Sequence, residues 1–215
     1  MRPKDGKRGY RSPKRDSAAE KTRARIIAAA TRQLRSAKGL QSLSLESVAA
    51  QAGVTRLTVY NQFGSRRGLL EAAFDAVAFR GGLHRLPEAM AQKDPRAALR
   101  RLVAIFCEFW YFNRRMLGQI IGAGVADPRL EQAIRARNER RRKLLAAIVR
   151  RLESAGRAPP ETVDEVVDVL FVLTSHAVFA GLADKERGVE VVCRLVQDLA
   201  IRTLDRLDSG SGGTV

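Results

Sequence analysis

Between Ser44 and Leu70 the chain reads SLESVAAQAGVTRLTVYNQFGSRRGLL, and the punctuation of that stretch constrains the fold more than any other feature. Ser44 is a helix N-cap candidate, because a serine hydroxyl accepts from a first-turn amide. Leu45, Val48 and Ala49 make a short apolar stripe, and Gly53 ends it. A glycine there takes positive φ and turns the chain sharply. Thr55 caps the next segment, Arg56 to Gln62, which Gly64 closes. Ser65 then opens a helix through Leu69, Leu70, Ala73, Phe74 and Val77. Upstream, Ile26, Ile27, Ala30 and Leu34 share one helical face, with Thr22 as its cap candidate and Gly39 as its stop. Four short helices, two of them joined by a tight glycine turn, make a helix-turn-helix pattern. Val48, Ala49, Val54 and Val59 are spaced to pack the crossing pair against the first helix.

The remainder is helical too. Pro95 suits a first turn, and Leu99, Leu102, Val103, Phe106, Phe109 and Trp110 follow at helical spacing. Gly118, Gly122 and Gly124 are expected to interrupt the next stretch. Pro128 begins a long charged helix, Ala155 to Pro160 reads as a linker, and two helices close the chain, about Glu161–Leu182 and Gly188–Leu207. No alternating β pattern occurs, so the expected class is all-α. At 215 residues the chain allows about one to two domains. The divisions expected are a disordered basic arm (1–21), a helix-turn-helix domain (22–68), a second helical domain (69–208) and a flexible tail (209–215).

Charge is concentrated at the front. Residues 1–67 hold 16 Lys/Arg against 4 Asp/Glu, and the rest hold 23 against 19, within a net +16. Such a field attracts a polyanion and makes binding salt-dependent. A tail that merely keeps the protein dispersed is the plainer alternative for residues 1–20. No apolar h-region follows the basic start, so no secretory signal is expected. The uncharged run Val169–Ala183 falls short of a spanning helix and reads as buried or interfacial. Cys107 and Cys193 are too few for a disulfide scaffold and suit a reducing cytoplasm.

Two segments, RIIAAATRQLRSAKG (Arg25–Gly39) and Ser44–Leu70, together resemble the N-terminal domain of TetR-type transcriptional regulators. Val48-Ala49 matches the family's Ile-Ala pair, Ala52-Gly53-Val54-Thr55 its turn and hydroxyl cap, and Tyr60 and Phe63 its aromatic positions. Ser65-Arg66 and Leu69 match the opening of its fourth helix. Leu57 stands where the family often has Gly, and Asn61-Gln62 where an aromatic residue or His is common. The resemblance implies a three-helix DNA-binding domain followed by a helical ligand-binding and dimerisation domain. It implies a homodimer on a double-stranded operator, a small-molecule effector, and repression rather than activation.

In a helix-turn-helix the second helix enters the major groove. Arg56 can bridge guanine edges or grip phosphate, Asn61 can read adenine bidentately, and Leu57 and Thr58 can touch a thymine methyl. Tyr60, Ser44, Thr55 and Arg66 are expected on phosphates, which position without specifying. For Arg56 and Asn61 a solvated helix face is the alternative; for Ser44 and Thr55 it is capping alone. Paired half-sites need a two-fold dimer, for which Val167, Leu170, Phe171, Leu195 and Leu199 supply apolar surface. A ligand pocket is expected among Phe106, Phe109, Trp110, Phe112, Met116, Phe171 and His176, with ordinary core packing as the alternative for each aromatic. Glu108 could neutralise a cationic ligand. Catalytic residues, metals and cofactors are not expected: adjacent helical residues such as Ser175 and His176 do not face each other, and the cysteines lack metal-ligand spacing. A non-specific, nucleoid-type helical DNA binder is the main alternative function.

Overall fold

A computed structural model describes residues 13–36, 38–153, 160–183 and 187–209. These form ten α-helices and two 3₁₀ turns, with no strand among the described residues. The chain divides into two compact units at Ala76–Val77.

The first unit contains α1 (Pro13–Arg35), a 3₁₀ turn (Gly39–Ser42), α2 (Leu45–Ala52), α3 (Arg56–Phe63) and the greater part of α4 (Arg66–Arg80). Helix α1 starts at Pro13 rather than near Thr22. Proline is well suited to the first helical position, and Ala18, Ala19, Glu20 and Lys21 are strong helix formers. Residues 13–21 therefore extend a helix instead of belonging to a disordered arm; residues 1–12 lie outside those described. The core is small: Ile26, Ala29, Ala30, Val48, Val59, Leu69 and Ala73 are all fully buried.

Gly68 sits where α4 passes the end of α3. A Cβ built there would lie 2.1 Å from the Phe63 carbonyl oxygen. Gly→Ala inside a helix ordinarily stabilises by about 1 kcal/mol. Here the obstacle is backbone, which cannot swing aside, so the sign reverses. Gly68→Ala is expected to destabilise by about 1–3 kcal/mol, read as a lowered Tm; an unchanged or raised Tm would contradict the packing described.

The second unit continues from the last turn of α4 through a 3₁₀ turn (Leu83–Arg85), α5 (Leu86–Met90), α6 (Pro95–Gly124), α7 (Pro128–Glu153), α8 (Pro160–Leu173), α9 (His176–Leu182) and α10 (Val189–Ser209). Asp94 caps α6 by accepting from the amides of Arg96 and Ala97. Helix α6 is the central element, packed against α7 and α10. Leu99, Leu102 and Ile105 from α6, Leu145 and Ile148 from α7, and Leu204 from α10 are completely buried.

Two sequence expectations fail here. Helix α6 runs unbroken through Gly118 and Gly122 to Gly124: a glycine costs a helix only about 1 kcal/mol against alanine, and burial of Met116 and Ile120 on the same helix offsets it. The helix expected over Glu161–Leu182 breaks in two, with a 51° bend between Val163–Leu173 and His176–Leu182. The Thr174 hydroxyl turns back to the Leu170 carbonyl at 2.8 Å, and Ser175 caps α9 by accepting from the Val178 amide at 3.2 Å. Such local hydrogen bonds compete with helix continuation. The expected linker falls largely on residues 154–159, outside those described, as do residues 210–215 of the expected tail; α10 itself runs to Ser209. Among the described residues no single helix is long and apolar enough to cross a membrane. Cys107 and Cys193 are free thiols.

Candidate nucleic-acid interface and effector crevice

The start of α2 is fixed by a capping box. Ser44 accepts from the Ser47 amide while the Ser47 hydroxyl accepts from the Ser44 amide, both at 3.0 Å. The Ser47 hydroxyl also reaches Gln33 Oε1 on α1 at 3.0 Å. Gly53 closes α2 at φ 64°, ψ 43°, a left-handed conformation that disfavours other residues. Thr55 caps α3 by accepting from the Thr58 amide at 3.1 Å.

Val59 is the buried residue of α3. Arg56, Leu57, Tyr60 and Asn61 all stand exposed, while Thr58 is half-buried. Leu57 at 64% and Tyr60 at 51% exposure are large side chains on the outside of a short helix, a mixed apolar and hydrogen-bonding surface suited to base edges and thymine methyls. Arg56 pairs with Glu46, which lies in the first turn of α2. Glu46 is held below the ordinary carboxylate range, first by its backbone hydrogen bond and then by Arg56.

Three arginines brace this unit by donating to main-chain carbonyls. Arg25 Nη2 reaches Ala52 and Gly53 at 2.9 and 3.2 Å, at the end of α2. Arg23 Nη1 donates to Gln62 at 3.1 Å, at the end of α3, with its guanidinium 4.5 Å above the Phe63 ring. Arg66, anticipated on a phosphate, donates from Nε to Leu43 at 2.6 Å and from Nη2 to Leu40 at 2.9 Å. Helix C-termini expose unpaired carbonyls with partial negative charge, so cations belong there. Arg23, Arg25 and Gln33 were invisible as functional residues in the sequence, because in a basic segment an arginine that holds a carbonyl looks like one that waits for a phosphate.

In the second unit, Phe106 and Trp110 line a closed crevice without room for a water molecule, together with Val103, Thr174 and Phe179. The rings of Phe106 and Trp110 lie 5.7 Å apart, Phe109 lies 4.9 Å from Trp110, and His176 meets Trp110 edge-on at 5.6 Å. Trp110 Nε1 donates to the Thr174 carbonyl at 3.1 Å. Burial pushes the His176 imidazole below its ordinary pKa, partly offset by a hydrogen bond to the Arg114 backbone. The other anticipated pocket residues divide. Met116 is buried outside the crevice lining, and Phe171 is half-buried against the guanidinium groups of Arg141 and Arg142, each 4.2 Å from its ring. Phe112 is 70% exposed, since two residues beyond Trp110 the helix presents its opposite face. Glu108 is taken by Arg85. Among the described residues no group of three or more His, Cys, Asp or Glu is arranged to hold a metal.

Of the anticipated dimer residues, Val167 and Leu170 are consumed in the unit's own core, at 4% and 0% exposure. Leu195 and Leu199 remain 40% exposed, and Val169, Val172 and Val191 join them as exposed large hydrophobics on α8 and α10. Those two helices pack side by side. Helical periodicity explains the correction: Val167 and Leu170 face inward, and Val169 and Val172 face outward.

Residues 26–73 match the family model for bacterial regulatory proteins, tetR family. Solved structures that resemble most of the chain include the following three. A TetR-like transcriptional regulator from Rhodococcus sp. RHA1 is 21% identical, covering 89% of this chain and 97% of that one, with a TM-score of 0.62. A TetR transcription regulator from Haloarcula marismortui ATCC 43049 is 18% identical over 87% and 98%, at 0.68. A protein from Saccharomonospora viridis in complex with choline is 19% identical over 84% and 95%, at 0.63. At these identities the likeness establishes the fold. No curated protein matches the chain.

Proposed function

We propose that this chain, whose residues 26–73 match the tetR-family model, is a TetR-family transcription regulator that represses transcription by binding a palindromic operator as a homodimer and letting go when a small molecule occupies its second unit. The outward face of α3 carries this reading. Arg56, Leu57, Tyr60 and Asn61 stand clear of their own core on a helix whose C-terminal end is braced by Arg23. Arg56 and Asn61 read bases; Leu57 and Thr58 make apolar contact with thymine; Tyr60, Ser44 and Thr55 hold phosphates through their hydroxyls. Arg66 has two of its donor groups committed to carbonyls, and a phosphate contact falls to what remains of its guanidinium.

One such helix reads only a few base pairs, so a two-fold pair of heads is needed. The exposed stripe of Val169, Val172, Val191, Leu195 and Leu199 supports that pairing, since apolar surface of this kind on a soluble protein marks an interaction face. The aromatic crevice around Trp110 is the effector site, and occupancy shifts the protein toward a state with lower operator affinity by linkage. The second unit begins at Val77, and an effector acts from there; the protein is expected to work in the cytoplasm.

Selection of bound duplexes from a random pool, at about 150 mM salt where non-specific contacts are weakened, tests the reading with the intact protein. A recovered palindrome is the expected result. Binding without sequence preference that disappears as salt rises would replace the operator reading with the non-specific one.

A further inference from the structure

Arg141 on α7 is 3% exposed. Other arginines of the second unit meet carboxylates: Arg85 with Glu108, Arg96 with Asp205, Arg142 with Asp168. No described carboxylate pairs with Arg141. Its Nη1 donates to the Phe171 carbonyl and to Thr174 Oγ1, each at 2.6 Å, and its buried Nε has no partner among the described residues. Burial, with Arg142 beside it, lowers its pKa to about 10, so it stays a cation at neutral pH. A buried charge without a counter-charge is strongly unfavourable. The Phe171 ring and the carbonyl end of α8 supply only partial negative charge.

The groups that hold Arg141 also wall the effector crevice. Thr174, which accepts from Nη1, lines it; so does Phe106, whose ring centre lies 6.0 Å from the guanidinium. His176 Nε2, edge-on to Trp110, is a second buried polar atom without a partner among the described residues. Arg141 and His176 are not themselves lining residues; the rest of the crevice lining is largely apolar, with Val103, Phe179 and Val196 contributing. The one carboxylate in the neighbouring sequence of α6, Glu108, is already paired. A cationic ligand would meet like charge; a neutral one would leave Arg141 uncompensated.

We propose that the effector is a small carboxylate with an aryl or short-alkyl body, its carboxylate taken by Arg141 and its body by the crevice side chains beside the α8–α9 break, which part to admit it. This rests on the effector reading above. A phosphate is disfavoured because its second charge would not be met by the adjacent Arg142, which is engaged with Asp168. A guanidinium fits a carboxylate with two parallel donors, and Nε is one of the pair still to be used.

Trp110 is the chain's single tryptophan and lines the crevice, so its emission reports the site directly. The full-length protein is titrated with phenylacetate, cinnamate and octanoate, and with the corresponding amides. At least one acid is expected to change Trp110 emission saturably and raise Tm, with its amide binding about tenfold or more weaker, as loss of a charge-assisted hydrogen bond requires. Arg141→Met is expected to abolish the preference for acid over amide, and Arg141→Lys to restore part of it. Amides that match the acids, or acids that all leave Trp110 unmoved, overturn the assignment. Should Arg141→Met fail to fold, the acid–amide comparison on unaltered protein decides. Acids that bind at Trp110 without changing operator affinity support the site while refuting the effector reading; neutral molecules that bind there and release DNA do the reverse.

Discussion

Leu195→Glu combined with Leu199→Glu is expected to yield a folded monomer with at least about 100-fold weaker operator binding. Both leucines are 40% exposed in the single chain, so glutamate in their place can reach water when the protein is alone. Opposite a second copy the same carboxylates would be stranded in apolar surroundings, each costing several kcal/mol unless paired. Sedimentation would then show a 23.7 kDa species with the helical content of the unaltered protein. The DNA effect follows from linkage of two heads. A dimer meets its second half-site at the effective concentration set by the first, commonly worth about two to four orders of magnitude. A variant that stays dimeric would move the interface away from α8 and α10. A monomer that keeps full operator affinity would show that a single head suffices.

The second large effect concerns α3. Arg56→Ala with Asn61→Ala is expected to weaken operator binding by about 2–6 kcal/mol, since each bidentate base contact carries about 1–3 kcal/mol of discrimination. Stability should hardly change: both side chains are exposed, and the ion pair between Arg56 and Glu46 is a surface one of small worth. Non-specific binding at low salt should fall far less than operator binding, because Ser44, Thr55 and Tyr60 are left in place. The discriminating measurement is therefore the ratio of operator to random-duplex affinity. Equal losses on both DNAs would mean that Arg56 and Asn61 hold backbone rather than read bases.

The reading unit was legible because its signals are local. Ser44, Gly53 and Thr55 occur at fixed offsets, each with a backbone reason, and the observed caps and left-handed glycine fall on those residues. Exposure of Leu57 and Tyr60 followed from periodicity around a buried Val59. The bracing arginines were not legible, since a hydrogen bond from Arg25 to Ala52 spans 27 positions and leaves no periodic trace. The second unit was legible in class and less so in detail. The break at Thr174–Ser175 depends on two hydroxyls choosing local partners, a competition that composition does not decide. Aromatic character alone groups Phe171 and Phe112 with Trp110, but facing depends on helical phase and on neighbours from other helices. Hydrophobicity alone points Val167 and Leu170 to the dimer, because inward and outward residues of one helix look alike until its packing partners are known.

The bracing of the first unit has a consequence for how it responds to its surroundings. Arg23, Arg25 and Arg66 hold it through guanidinium groups that donate to main-chain carbonyls. Both histidines and both cysteines of the chain lie beyond Ala76. The head therefore contains no side chain whose unperturbed titration falls near neutrality, and none that thiol oxidation could alter. A pH change near neutrality, or oxidation of a thiol, has no direct chemical handle on its shape. It behaves as a constant component, and environmental sensitivity has to enter through groups elsewhere in the chain.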